Sequence, residues 1–298
     1  MRILILGPSG QIGYELAANA GTVGEVITAG RSAADITIDP LNKTELSNLF
    51  SSIKPDIVIN AIAYTAVDKA ETDQDMAFSL NADLPAALAD LCEQSNTLLI
   101  HYSTDFVFDG CNDKPYMEDD ATQPLSIYGR SKLAGEKALQ TASCPSVILR
   151  TSWVYGERGS NFLLTMIRLG KERESLSVVN DQVGAPSYCR DIALATIQLC
   201  NLYKNDPDKF KSHNKIYHLT CGGETSWFDF AKAIFEQVSD KESLALNELS
   251  AITSDQYPVA ATRPTYSVLD CSKINEDLGI VMPDWKESLK ACLKRYYD

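Results

Sequence analysis

Histidine is scarce, with three in 298 residues and none in an H-E-x-x-H arrangement. The eight cysteines never lie closer than 11 residues apart, so the C-x-x-C spacing of zinc and thiol-redox sites is missing. Scattered thiols of this kind suit a reducing compartment, where cysteine serves as a small apolar residue. Positive charge is also in deficit. Against 27 Lys and Arg stand 40 Asp and Glu, a net charge of −13 with an isoelectric point near 4.7. Such a surface repels a phosphate backbone and excludes general nucleic-acid binding. No apolar run approaches the ~20 residues of a membrane helix. The opening run Ile3-Leu4-Ile5-Leu6 stops at Gly7, unlike a secretory leader, so a cytoplasmic protein without membrane attachment is expected. Repeats and low-complexity segments are missing as well.

What is present is an alternation of short apolar runs with helical patterns. Strands are expected at Arg2–Leu6, Glu25–Ala29, Asp35–Ile38, Asp56–Asn60, Thr97–Ser103 and Val147–Arg150. Helices are expected at Gln11–Ala20, Lys43–Ile53, Leu84–Gln94 and Tyr128–Gln140. Runs such as Ile57-Val58-Ile59 read as strands buried on both faces, the mark of a parallel sheet covered by helices. The expectation is an α/β, Rossmann-type doubly wound parallel sheet with its ligand crevice at the strand C-termini. Beyond residue 152 the pattern loosens. Helices are expected at Asn161–Arg173, Ser187–Leu202, Trp227–Val238 and Trp285–Tyr297, with a strand at Lys215–Thr220. This reads as a dinucleotide-binding domain over 1–152, to which 186–222 returns. A smaller, discontinuous C-terminal substrate domain then comprises 153–185 and 223–298.

Four features carry chemistry. Gly7, Gly10 and Gly13 form G-x-x-G-x-x-G between the first strand and helix, where backbone can approach a pyrophosphate. Gly30-Arg31-Ser32 ends the second strand, where arginine accommodates a ribose 2′-phosphate and so favours NADPH, with NADH possible. Asp35 and Asp39 lie close by, Asp39 on the adenine side. Tyr128 and Lys132 sit four apart on one helical face, where an ammonium would favour phenolate and lower the tyrosine pKa from about 10. Such a pair can exchange a proton with a carbonyl oxygen. Thr104, at the end of the fifth strand, offers a hydroxyl beside it.

The glycine turn, Asn60-Ala61-Ile62-Ala63, Ser103-Thr104-Asp105 and the Tyr128/Lys132 pair resemble the extended short-chain dehydrogenase/reductases. More closely, the chain resembles the dTDP-4-dehydrorhamnose reductase family. That match lies in Gly10-Gln11-Ile12-Gly13, Thr65 to Glu71, Tyr102 to Asp105, Arg150 to Tyr155, Asn180 to Pro186 and Thr262-Arg263-Pro264. The resemblance implies NAD(P)H-dependent reduction of dTDP-4-dehydro-β-L-rhamnose to dTDP-β-L-rhamnose, the last step of making that activated sugar. It assigns Tyr128 as proton donor, Lys132 to the cofactor ribose and Thr104 to the ketone oxygen. Gly10, Gln11, Ile12, Asp39, Ala63, Tyr64 and Thr65 would touch the cofactor. Asp105 and Trp153 would contact the sugar or its nucleotide, Trp153 being equally readable as a packed aromatic. Arg263 is a candidate for the diphosphate, because an acidic protein needs a local cation there.

Two departures stand out. Some relatives pair subunits through carboxylates on magnesium; Glu15 fits that pattern, but Arg190 and Cys292 occupy the regions of the other ligands. No metal ligand is assigned, and the chain is read as a monomer or homodimer. The acidic loop Asp109–Asp120 is either a solvated lid or a cation site. Gly30-Arg31 also replaces an acidic residue of some relatives, against strict NADH use. Rival readings are a dehydratase or epimerase on the same scaffold, or a non-catalytic subunit like the regulatory β subunit of methionine adenosyltransferase. The lack of a second carboxylate beside Asp105, and the intact Thr104, Tyr128 and Lys132, favour reduction.

Overall fold

The computed structural model describes residues 1–210 and 215–298; residues 211–214, inside the segment expected to return to the first domain, lie outside the described residues. Seven parallel strands form the central sheet. Their spatial order is Lys215–His218, Ser146–Thr151, Leu98–Thr104, Ile57–Asn60, Arg2–Leu6, Glu25–Gly30 and Ile36–Thr37. Every residue of Ile57–Asn60, Leu98–Thr104 and Ser146–Thr151 is buried, the polar His101, Ser103, Thr104 and Arg150 along with the apolar ones, as in a parallel sheet covered on both faces. The chain starts in the middle of the sheet and winds outward in both directions. Strand order therefore reverses between Arg2–Leu6 and Ile57–Asn60, and a crevice opens at their C-terminal ends.

Two apolar layers cover the sheet. One packs Leu16, Ile192, Leu199 and Tyr217 against Ile3, Ile5, Ile59 and Ile100. The other packs Leu46, Leu49, Leu84, Leu88 and Leu139 against Leu4, Leu6, Val58 and Ile148. One strand in from the sheet edge, Arg150 meets Glu136 through two bonds of 2.8 and 3.0 Å, both side chains almost fully buried. A third layer lies apart from the sheet. It is built by the helices Phe162–Glu172, Trp227–Val238 and Trp285–Tyr297 around Phe230, Ile234 and Leu289.

Element positions agree with the sequence reading to within a few residues, and Lys43–Ile53, Trp227–Val238 and Trp285–Tyr297 coincide with it. Sequence reading overlooked a parallel pair, Ser175–Val179 with Glu248–Ile252. It also overlooked the short helices Val67–Ala70, Gln74–Phe78 and Ser272–Leu278.

Candidate active site

At the crevice, Gly7 takes φ +83°, a conformation costly for any residue with a Cβ. A Cβ on Gly13 would lie 2.1 Å from the Gly7 carbonyl oxygen, so the helix can rest on this turn only without one. Gly10 caps the Gln11–Asn19 helix and offers no side chain to the first N–H groups. Those donors and the positive end of the helix dipole suit a pyrophosphate, so the turn fits a dinucleotide. Ile12 packs beneath it, between the sheet layer and the third layer. The Gln11 side chain is held by Asn161, whose Nδ2 donates to Oε1 at 2.8 Å.

Arg31 is exposed just past the second strand. Asp35 is committed elsewhere: its carboxylate accepts from the Thr28 N–H at 2.9 Å and hydroxyl at 2.8 Å, which hold its pKa below the usual value. The guanidinium is thus the available charge on that loop. Asp39 is exposed and accepts from the Leu41 N–H at 3.1 Å. Ala63, Tyr64 and Thr65 follow the fourth strand. Tyr64 is fixed by Asn81, which accepts from its N–H at 2.9 Å and donates to its carbonyl at 3.1 Å. Asn81 also donates to the Ser131 hydroxyl at 3.0 Å, joining this loop to the helix of Tyr128. Sequence reading missed Asn81, whose only signal is a polar residue in an apolar helical stretch.

The helix Ile127–Thr141 begins at Ser126, whose hydroxyl accepts from the Gly129 N–H, and at Glu71, which accepts from the Ile127 N–H at 2.8 Å. A Cβ on Gly129 would sit 2.3 Å from the Phe106 carbonyl oxygen. That close approach brings Tyr128 onto the turn after the fifth strand, where its ring meets Phe106 edge-on at 5.5 Å. The Thr104 hydroxyl lies near enough to the Tyr128 phenol to influence its ionisation, and it donates to Asp105 Oδ1 at 2.9 Å. Lys132, fully buried, donates to the Tyr102 carbonyl at 2.5 Å. The structure therefore brings Thr104, Asp105, Tyr128 and Lys132 together.

One electrostatic expectation is corrected. Burial, opposed by the Thr104 hydrogen bond and reinforced by Asp105, pushes the Tyr128 phenol up to about 12 rather than down. Burial also lowers Lys132 to about 8, against Glu136, and raises Asp105 to about 6 despite the Ser267 and Thr104 hydroxyls. A phenol kept protonated at neutral pH is the state a proton donor needs.

Trp153 and Arg263 lie beyond this cluster. Trp153 stacks on Trp227. Arg263 grips Asp68 with Nη1 at 3.1 Å and Nη2 at 2.7 Å, and it lines a groove of about 1110 Å³ with Phe162, Val178, Trp227 and Tyr257. Nothing local in the sequence foretold either this groove or the Asp68 pair. Glu15 is buried between Arg190 at 3.1 Å and Arg295 at 2.9 Å. Among the described residues no group of three or more His, Cys, Asp or Glu side chains could hold a metal ion. In the acidic loop, Asp109 accepts from Tyr116 and the Cys111 N–H, and Asp120 accepts from the Met117 N–H, so these carboxylates serve local turns. No helix among the described residues is long and apolar enough to cross a membrane.

The Rossmann-like parallel sheet and the relatives that follow make this chain an NADP-dependent oxidoreductase. Residues 1–298 match the model of the RmlD substrate binding domain family, and the chain belongs to that family. It is 41% identical to the dTDP-4-dehydrorhamnose reductase of Escherichia coli strain K12 over 298 residues, covering 100% of this chain and 98% of that protein. It is 42% identical to the reductase of Aggregatibacter actinomycetemcomitans over 293 residues, 97% of each. Among solved structures, the dTDP-4-dehydrorhamnose reductase of Bacillus anthracis str. Ames in complex with NADP superposes with a TM-score of 0.89 at 32% identity, covering 99% of both chains.

Proposed function

We propose that the chain reduces dTDP-4-dehydro-β-L-rhamnose to dTDP-β-L-rhamnose with NADPH, Tyr128 giving the proton. The observation that supports the residue roles is the convergence of Thr104, Tyr128 and Lys132 around the strand Leu98–Thr104, two strands along the sheet from the one that leads into the glycine turn. Bound on the turn Gly7–Gly13, with its 2′-phosphate toward Arg31, NADPH supplies a hydride to the sugar C4. Thr104 and Tyr128 bind the ketone oxygen, and Tyr128 passes its proton to that oxygen as charge develops there. Lys132, one helical turn on, holds the ribose and stabilises the phenolate left behind. Asp105 orients Thr104 and the sugar hydroxyls.

The nucleotide half of the substrate lies in the groove lined by Trp227 and Arg263, within the substrate-binding segments 153–185 and 223–298. Asp68 takes one hydrogen from each Arg263 Nη and the Ala261 carbonyl another, so donors remain for a diphosphate. The decisive experiment is NADPH consumption with freshly generated dTDP-4-dehydrorhamnose, compared with other 4-keto nucleotide sugars. Tyr128→Phe should lose about 10²–10⁴-fold in kcat with NADPH affinity unchanged. Near-full turnover by that variant would remove Tyr128 from the role.

A further inference from the structure

Trp153 combines several features that do not arise by default. It stands two residues past Thr151, the register partner of Thr104. Its φ is +45°, the left-handed region that a side chain with a bulky Cβ substituent avoids. The backbone on either side is pinned to one segment: the Ser152 hydroxyl donates to the Ala185 carbonyl at 2.7 Å, and the Ser187 N–H donates to the Trp153 carbonyl at 3.2 Å. The indole lies face to face on Trp227, with centroids 3.5 Å apart and planes 5° apart. Aromatic pairs left to themselves prefer offset or edge-on arrangements, so this stack is held by its surroundings.

The surroundings are a small ladder. Val183–Gly184 pairs antiparallel with Thr225–Ser226, Gly184 opposite Thr225. A Cβ on Gly184 would lie 2.5 Å from Trp153 Cε2 and 2.7 Å from Nε1, so only glycine admits the indole. Trp227 is the first residue of its helix, directly after Ser226, whose hydroxyl caps it by accepting from the Asp229 N–H and is itself tied to Asn180 at 2.6 Å. One ladder thus sets both sides of the slot in which Trp153 sits. Trp227 in turn lines the large groove and is braced by Phe162 at 4.6 Å.

We propose that Trp227 is a positioning residue: it holds Trp153 against the sugar and couples seating of the nucleotide in the groove to orientation of the ketone at Thr104 and Tyr128. This rests on the reductase reading. A ligand base entering the groove restrains Trp227, the stack restrains Trp153, and the strained strand end cannot relax away from the substrate.

The test has a structural and a kinetic arm. Stacked indoles couple excitonically, so the far-ultraviolet dichroism should carry a couplet that Trp227→Phe and Trp153→Phe each abolish and that Trp285→Phe, in the packed third layer, leaves in place. Persistence of the couplet in Trp227→Phe would overturn the stacked geometry. In turnover, Trp227→Phe, which keeps a flat ring, should retain most of kcat. Trp227→Leu should lose about tenfold or more in kcat, with KM for NADPH unchanged. Gly184→Ala, which displaces Trp153 without removing any groove side chain, should reproduce both the lost couplet and the lowered kcat. A folded Trp227→Leu enzyme with wild-type kcat would sink the proposal. Failure of the wild-type protein to reduce any 4-keto nucleotide sugar, with the couplet intact, would instead strike the reading on which it rests.

Discussion

Asp105 and Lys132 are both held away from their ordinary ionisation, and in each case burial disfavours the charged form. For Asp105 the folded-state value near 6 lies above the unfolded value near 3.8. Its contribution to stability is therefore full below pH 3.8 and is lost as pH rises through 6, a cost of about 3 kcal/mol at neutral pH. Asp105→Asn cannot titrate. Urea melts at a series of pH values should show the stability of the variant minus that of the wild type rising between pH 4 and 7, and a value that stays flat or falls would contradict this origin. Arg31 makes a separate prediction. Freed from competition because Asp35 is bound to Thr28, it should meet the 2′-phosphate. Arg31→Asp should raise KM for NADPH about tenfold, as for loss of a charge-assisted contact, while KM for NADH moves little. Equal effects on the two cofactors would remove Arg31 from the site.

Among the elements, the segment Ala61–Asp73, with its short helix Val67–Ala70, touches three others: the helix of Tyr128 through Glu71, the helical stretch around Asn81 through Tyr64, and the groove wall through Asp68 and Arg263. Arg263→Ala should cost on the order of 2–4 kcal/mol in dTDP-rhamnose binding, read by calorimetric titration, and leave NADPH affinity in place. Asp68→Asn discriminates the causes. If the guanidinium serves the diphosphate, this variant binds dTDP-rhamnose at least as tightly as the wild type. If the pair only braces the loop, both ligands weaken. These links also show what the sequence made legible. Gly7 to Gly13 and the pair Tyr128/Lys132 are local patterns that a few neighbouring residues carry, and the helix starts at Ser226 and Asp284 carry their own capping residues. Asp68 and Arg263 are 195 residues apart, and Ser175–Val179 alternates exposed and buried with a partner some 73 residues on. No local pattern encodes such pairings. The direction of the Tyr128 shift was hidden for a related reason: sequence names the charged neighbour but not the depth at which it lies.

At the scale of the whole molecule, the net charge of −13 opposes both anionic ligands. Recognition then depends on short-range donors, and association is slowed rather than steered. Raising ionic strength from about 0.01 M to 0.15 M shortens the Debye length from about 30 Å to about 8 Å. It should increase kcat/KM for the sugar nucleotide about two- to threefold, and a fall would mean that local arginines dominate the long-range field. The winding of the sheet has a further consequence, one of timing. Six of its seven strands, with the glycine turn and the Tyr128 helix, are complete by Thr151, whereas the edge strand Lys215–His218 and most of the groove come from the last half of the chain. At the ~5–20 residues per second of synthesis, the remaining 147 residues take on the order of 7–30 s to emerge. A nascent chain can therefore assemble most of its cofactor pocket before the walls that recognise a sugar nucleotide have been made.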